Sequence, residues 1–231
     1  MLPHWKRIDI AGKLADLFEP PSALPFSLLW LHDESGGTPA TDPGITTELR
    51  AGRLRCVAPH GARSWWVDRV CAEFDPALTA ERHLLDNVAP WLRTQPVAVA
   101  GVGMGGQGAV RLGFRHPARF PIVASIAGAF DFHERYGRST PLDDMYASRE
   151  LARQDTAILH IHGHDWPPHI WFACSATSEW DRGNDRLHEK LAALGVPHTA
   201  DLDTSADAGR LVAPALAFVR AAMERESRRL A

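Results

Sequence analysis

The stretch Val97–Pro117, VAVAGVGMGGQGAVRLGFRHP, decides how this chain is read. Val97–Ala100 has the length and apolar continuity of a short buried strand. Gly101–Gly106 is a glycine-dense corner, and Val110, Leu112 and Phe114 then fall in a segment that reads as a helix. A strand turning sharply into a helix leaves backbone N–H groups free at the corner, where they favour negative charge.

Outward from this corner the pattern repeats. Ser27–His32, SLLWLH, is a continuous apolar run of strand length, expected to be buried on both faces, and it ends in the turn-rich DESGG. Leu54–Ala58 is a second such run, closed by Pro59, His60 and Gly61. Lys6–Ile10 and Ala15–Phe18, flanking Gly12, predict a β-hairpin, with Pro20, Pro21 and Pro25 as a stiff connection. From about Pro76 to Arg93 the spacing of Leu84, Leu85, Val88, Trp91 and Leu92 predicts one apolar helical stripe. Ile122–Ile126, His169–Cys174 and His198–Leu202 predict further strands. Leu187, Leu191 and Leu194 mark a helix, and Val212, Leu216, Val219 and Met223 mark a closing one with basic residues near its end.

Ala129 to about Gln154 reads as irregular and polar, a cap or rim at about 129–156. Alternating strands and helices imply an α/β chain, a mostly parallel sheet with helices on both faces, organised as one domain over residues 1–231. Ligands of such sheets bind beyond the carboxyl ends of the strands. The loops Asp33–Gly37, Gly101–Gly106 and Ser175–Asp181 therefore matter most.

Composition narrows the classes. The 231 residues are 45% hydrophobic and 23% charged, ordinary for a globular protein. A formal charge of −3 carries no basic footprint for nucleic acid and no polybasic patch for a membrane surface. Three cysteines, Cys56, Cys71 and Cys174, are too few for a disulfide scaffold. The start, MLPHWKRIDI, lacks the apolar run of a secretory leader, so a cytoplasmic location is expected.

The segment GVGMGGQGAVRLGFRHPARF resembles the nucleophile elbow and following helix of α/β-hydrolases of the esterase D and S-formylglutathione hydrolase type. The corner in that family is typically G-x-S-M-G-G-x-G-A. LWLHDESGG is similar to the family's oxyanion-hole loop, and GAFDF follows the next strand as it does there. The likeness runs from about Arg7 to Val219. It implies the α/β-hydrolase fold and a Ser, Asp and His in that chain order, with backbone N–H groups receiving the oxyanion. This chain departs from the pattern. Gly103 stands at the serine position and has no atom that can attack. Ser178, with Glu179 beside it, stands about where the acid is expected, and no histidine follows His198.

The resemblance thus implies a degenerate triad at Gly103 and Ser178. It implies a catalytically impaired relative kept as a binding or interaction protein, with Asp33, Glu34, Gly103, Met104, Gly105 and Glu179 around an ester- or acyl-like small molecule. A protein partner or a homo-oligomer also fits, and no cofactor is implied. A second expectation is an active hydrolase of small esters in which His133 or His164 reaches the elbow and activates water. A third is metal-dependent hydrolysis at His160, His162, His164 and His169, three of which would share a face if the segment were a strand. Gly101, Gly103 and Gly106 also spell a dinucleotide fingerprint, but Asp131 comes too late for the ribose acid. Cys174 reads as a buried structural thiol, His32 as a structural loop residue, and Trp65 and Trp66 as crevice wall or loop packing.

Overall fold

The computed structural model describes residues 2, 4–93 and 97–230. Among them, β1 (Trp5–Ile10), β2 (Lys13–Phe18), β3 (Ser27–Leu31), β4 (Arg55–Pro59), β5 (Val97–Val102), β6 (Ile122–Ile126), β7 (His169–Ala173) and β8 (Thr199–Asp201) form one sheet. Their spatial order is β1-β2-β4-β3-β5-β6-β7-β8. The hairpin β1–β2 and the β2–β4 pair are antiparallel; every other neighbour is parallel. In register, Gly101 at the end of β5 stands between Leu31 of β3 and Ser125 of β6. The carboxyl ends of three central strands therefore open at one edge.

Period-two alternation on continuous apolar strands gives this sheet two buried faces. Leu28 and Trp30, Ala98 and Ala100, and Ile122, Ala124 and Ile126 pack on one side with α1 (Pro43–Ala51) and α8 (Ala208–Leu230). Leu29, Leu31, Val97, Val99 and Val123 face the other side. There they meet α2 (Ala80–His83), α3 (Ala89–Leu92), α4 (Met104–Arg115) and, further along the chain, α7 (Asp181–Ala193). Among the described residues no helix is long and apolar enough to cross a membrane.

Three elements differ from the sequence expectation. The first is α1, hidden because PGITTELRA carries few apolar residues. It is set by its start: Pro43 opens the first turn, and the Asp42 carboxylate accepts the N–H groups of Gly44 and Ile45 at 2.8 and 3.0 Å. The second is the helical run expected from Pro76. It begins only at Ala80, capped by Thr79, and widens into a π-type turn over Leu84–Val88 just before Pro90. Pro90 has no N–H for the usual α-helical bond, so the local departure from α geometry has a cause in the chain.

The third is the segment from Ala129, which is polar in composition but not irregular. It folds into a 3-10 turn at Phe132–Arg135, α5 (Leu142–Met145) and α6 (Arg149–Gln154), and buries Phe130, Phe132, Leu142 and Tyr146 in the core. Arg111 of α4, 1% exposed, anchors it by pairing with Glu81 and, at 2.8 Å, with Asp155. Arg115 completes the pair to Glu81 at 2.7 Å, and the Tyr146 hydroxyl donates to Asp155 at 2.8 Å.

Candidate functional site

Gly103 forms the apex between β5 and α4, with φ 54° and ψ −114°. That combination lies outside the regions open to L-residues, which marks a tight, strained strand-to-helix turn. The turn is pinned on both sides: the Gly103 N–H donates to the Ile126 carbonyl and the Gly103 carbonyl accepts from Ala129, both at 2.9 Å. Its neighbouring glycines are fixed by close approach. A Cβ on Gly101 would lie 2.4 Å from the Gly105 backbone, one on Gly105 only 2.0 Å from the Leu31 carbonyl oxygen, and one on Gly108 2.6 Å from Trp66. Gly103 is different. A Cβ there meets nothing nearer than the Asp33 Cβ at 3.4 Å, an ordinary contact.

The apex opens into a cavity of about 450 Å³, a size that suits a small ligand. Six residues singled out in the sequence line it together: Asp33, Glu34, Gly103, Met104, Ser178 and Glu179. They come from the loops after β3, β5 and β7, the three expected to matter. Gly105 lies within the first turn of α4, against the backbone of Leu31 and His32. The rest of the wall is Trp65, Val102, Ala127, Arg135, Trp180 and Ala208, so apolar surface and charged groups are mixed along it.

The cavity's charged groups are three carboxylates and one guanidinium, Arg135, which offsets them only in part. The Asp33 carboxylate is turned into its own loop, accepting from the Ser35 N–H at 3.0 Å and hydroxyl at 2.6 Å. Arg135 donates to Glu179 at 2.7 Å, lies 3.8 Å from Glu34, and rests over the Trp180 ring at 5.2 Å. Sequence reasoning missed Arg135, because nothing local links it to carboxylates on two distant loops.

The loop after β4 supports the site from beneath. Trp65 and Trp66 are both fully buried with φ of 55° and 53°, a strained pair held by specific bonds. The Trp65 N–H donates to the Met104 sulfur at 3.2 Å, and the buried Gln107 amide donates to the Trp65 carbonyl at 3.0 Å. The Trp66 indole donates to the His32 carbonyl at 3.1 Å. The two readings of these tryptophans divide between them: Trp65 lines the cavity and Trp66 packs under the loop.

His32 is a strut. Its Nδ1–H donates to the Asp33 carbonyl at 2.7 Å, and its Nε2 accepts the Gly61 N–H at 2.9 Å. Both nitrogens are engaged and the neutral tautomer is set by its partners, while burial pushes its pKa down.

Ser178 accepts from the Trp180 N–H at 3.2 Å, and the segment from Leu202 to Asp207 enters α8 without a histidine. Burial raises the Cys174 thiol pKa, as befits an inert thiol. No histidine is among the residues lining the cavity. His133 is buried elsewhere, 3.6 Å from Glu134.

The histidines at 160–169 do not share a strand face, because Ala157–His160 is a 3-10 turn and β7 begins only at His169. His169 bonds Glu226 at 2.9 Å, while His160 lies 3.7 Å from Asp155. Among the described residues no group of three or more His, Cys, Asp or Glu converges as a metal site would.

A mostly parallel eight-stranded sheet with an antiparallel start, a strained elbow after β5 and a cavity beside it define an α/β-hydrolase fold. The profile of the esterase family, described as "Putative esterase", matches residues 38–209, and the chain belongs to that family, in keeping with the esterase D resemblance. Solved structures agree on the fold. An S-formylglutathione hydrolase from Agrobacterium tumefaciens is 14% identical, with 98% of this chain and 94% of that chain covered at a TM-score of 0.70. The fluorophosphonate-binding serine hydrolase F of Staphylococcus aureus is 12% identical over 94% and 98%, at 0.75. A ferulic acid esterase is 16% identical over 94% and 98%, at 0.71. No curated protein matches the chain significantly.

Proposed function

We propose that this esterase-family chain binds an ester- or acyl-bearing small molecule at the elbow and lacks the triad chemistry to turn it over. The observation that carries the reading is the pairing of Gly103, which has elbow geometry and room for a side chain but no nucleophile, with a cavity lined by no imidazole. An acyl carbonyl at the apex would meet the Met104 N–H at the positive end of α4. An N–H of Asp33 or Glu34 would complete an oxyanion-type pair. Three carboxylates and one guanidinium leave the wall acidic, which favours a neutral ester- or acyl-bearing molecule over an anionic one; Arg135 offsets the acids in part, at 2.7 Å from Glu179 and 3.8 Å from Glu34.

Hydrolysis by a reassembled mechanism is the weaker reading, because His133 and His164 are absent from the cavity wall. Titration of ¹⁵N-labelled protein with ethyl butyrate tests the proposal. Amide shifts at Met104 and Val102 and an indole shift at Trp180, with ethyl butyrate intact after hours, are the expected outcome. Release of butyrate, or no shift at these residues, would overturn it.

A further inference from the structure

Away from the cavity, His188 on α7 and His198 just before β8 bring two imidazoles together, Nδ1 to Nε2, at 2.9 Å. His198 is well anchored. Its Nδ1–H donates to the Val196 carbonyl at 2.8 Å, and its ring stacks on Phe172 with centroids 5.6 Å apart and planes at 17°. Because Nδ1 carries the proton in the neutral ring, Nε2 keeps its lone pair, and that lone pair faces His188. His188 is exposed, its ring set edge-on to His198 at 71°.

Two ring nitrogens meeting this way share a single proton. A metal ion in the proton's place would use both lone pairs. With N–metal bonds of about 2.0–2.1 Å, neighbouring imidazole nitrogens on one ion stand about 2.9–3.4 Å apart, depending on square or tetrahedral geometry. The observed separation is at the lower end of that range before any ion is present. The Val196 carbonyl already supplies the contact that fixes a ligand histidine's tautomer and ring orientation. By contrast, His60 and His169 face the carboxylates of Asp16 and Glu226, each at 2.9 Å.

We propose that His188 and His198 form a surface site for a divalent transition-metal ion of the imidazole-preferring class, Cu²⁺, Ni²⁺ or Zn²⁺. Both ligands are neutral nitrogens, so Mg²⁺ and Ca²⁺, which require oxygen, are excluded. Since among the described residues no third side chain converges, water fills the other positions and the site stays open to an outside ligand. The ion would tie α7 to the sheet edge at β8 and stabilise the fold by mass action.

Titration of the full chain with CuCl₂, NiCl₂, ZnCl₂ and MgCl₂, read by thermal unfolding and imidazole NMR shifts, tests this. One equivalent of ion should bind, Cu²⁺ most tightly and Mg²⁺ not at all, and acidification should release it. His188→Ala and His198→Ala should each weaken binding about 10-fold or more, the loss that follows removal of even an orienting partner. The double substitution His162→Ala/His164→Ala should leave binding unchanged. Binding that survives both single substitutions, that follows His162 and His164 instead, or that fails for all three ions would overturn the proposal.

Discussion

The elbow and the two loops after β7 and β8 belong to the same end of the sheet but are built on different terms. In the elbow, packing dictates identity: Gly101, Gly105, Gly106 and Gly108 each lie where a Cβ would come within 3.0 Å of a backbone or side-chain atom. The later loops project onto an open rim, where Ser178 and Glu179 make local or surface contacts. Packing therefore keeps the elbow's shape whatever stands at its apex. Only chemistry would require an acid and a base on the rim. Gly103 sits at the junction of the two regimes, in elbow geometry but without a packing reason to be glycine.

The largest expected effect is at Gly105. Its new Cβ would run into the Leu31 carbonyl, which the β3–β5 ladder holds in place. Gly105→Ala should destabilise by about 3 kcal/mol or more, read as a lower urea midpoint with unchanged slope. Gly103→Ser should cost less, about 1–3 kcal/mol, because its penalty is backbone strain rather than collision. A Gly103 variant as damaging as Gly105→Ala would break the distinction.

The packed half should also respond to pH. Burial holds His32 below its ordinary pKa of about 6.5, so the unfolded chain takes up its proton first as pH falls. Its contribution is therefore complete above that value and is lost as pH drops through the lower folded-state value. Buried His83 and His133 and half-buried His116 and His160 shift the same way. The melting temperature should fall between pH 7 and 5, and His32→Gln should have a shallower slope; an unchanged slope would remove His32 from that role. Ser178→Ala, on the open rim, should stay within about 0.5 kcal/mol of the parent in urea unfolding. A larger loss would mean the rim is packed like the elbow.

Much of this was legible in the chain. The apolar runs at Ser27–His32, Val97–Ala100 and Ile122–Ile126 are strands because burial on both faces leaves a continuous hydrophobic signature. The same reasoning brought Asp33, Glu34, Gly103, Met104, Ser178 and Glu179 to one cavity, since strand ends of a parallel sheet must meet. Most of what escaped depends on long-range pairing. Arg135 bridges loops that only the folded chain brings together, and Arg111 turns a polar-looking segment into core by neutralising Glu81 and Asp155. Helix α1 escaped because its signal is a cap at Asp42 rather than an apolar stripe.

Whether the elbow is preserved without its chemistry is decided by hydrolysis of p-nitrophenyl acetate together with labelling by a fluorophosphonate. No covalent label should form. Turnover should be no greater than backbone donors and binding alone supply, about 10³–10⁴-fold over water. A labelled serine found by mass spectrometry, with turnover well beyond that level, would place the nucleophile elsewhere and make the chain an active serine hydrolase.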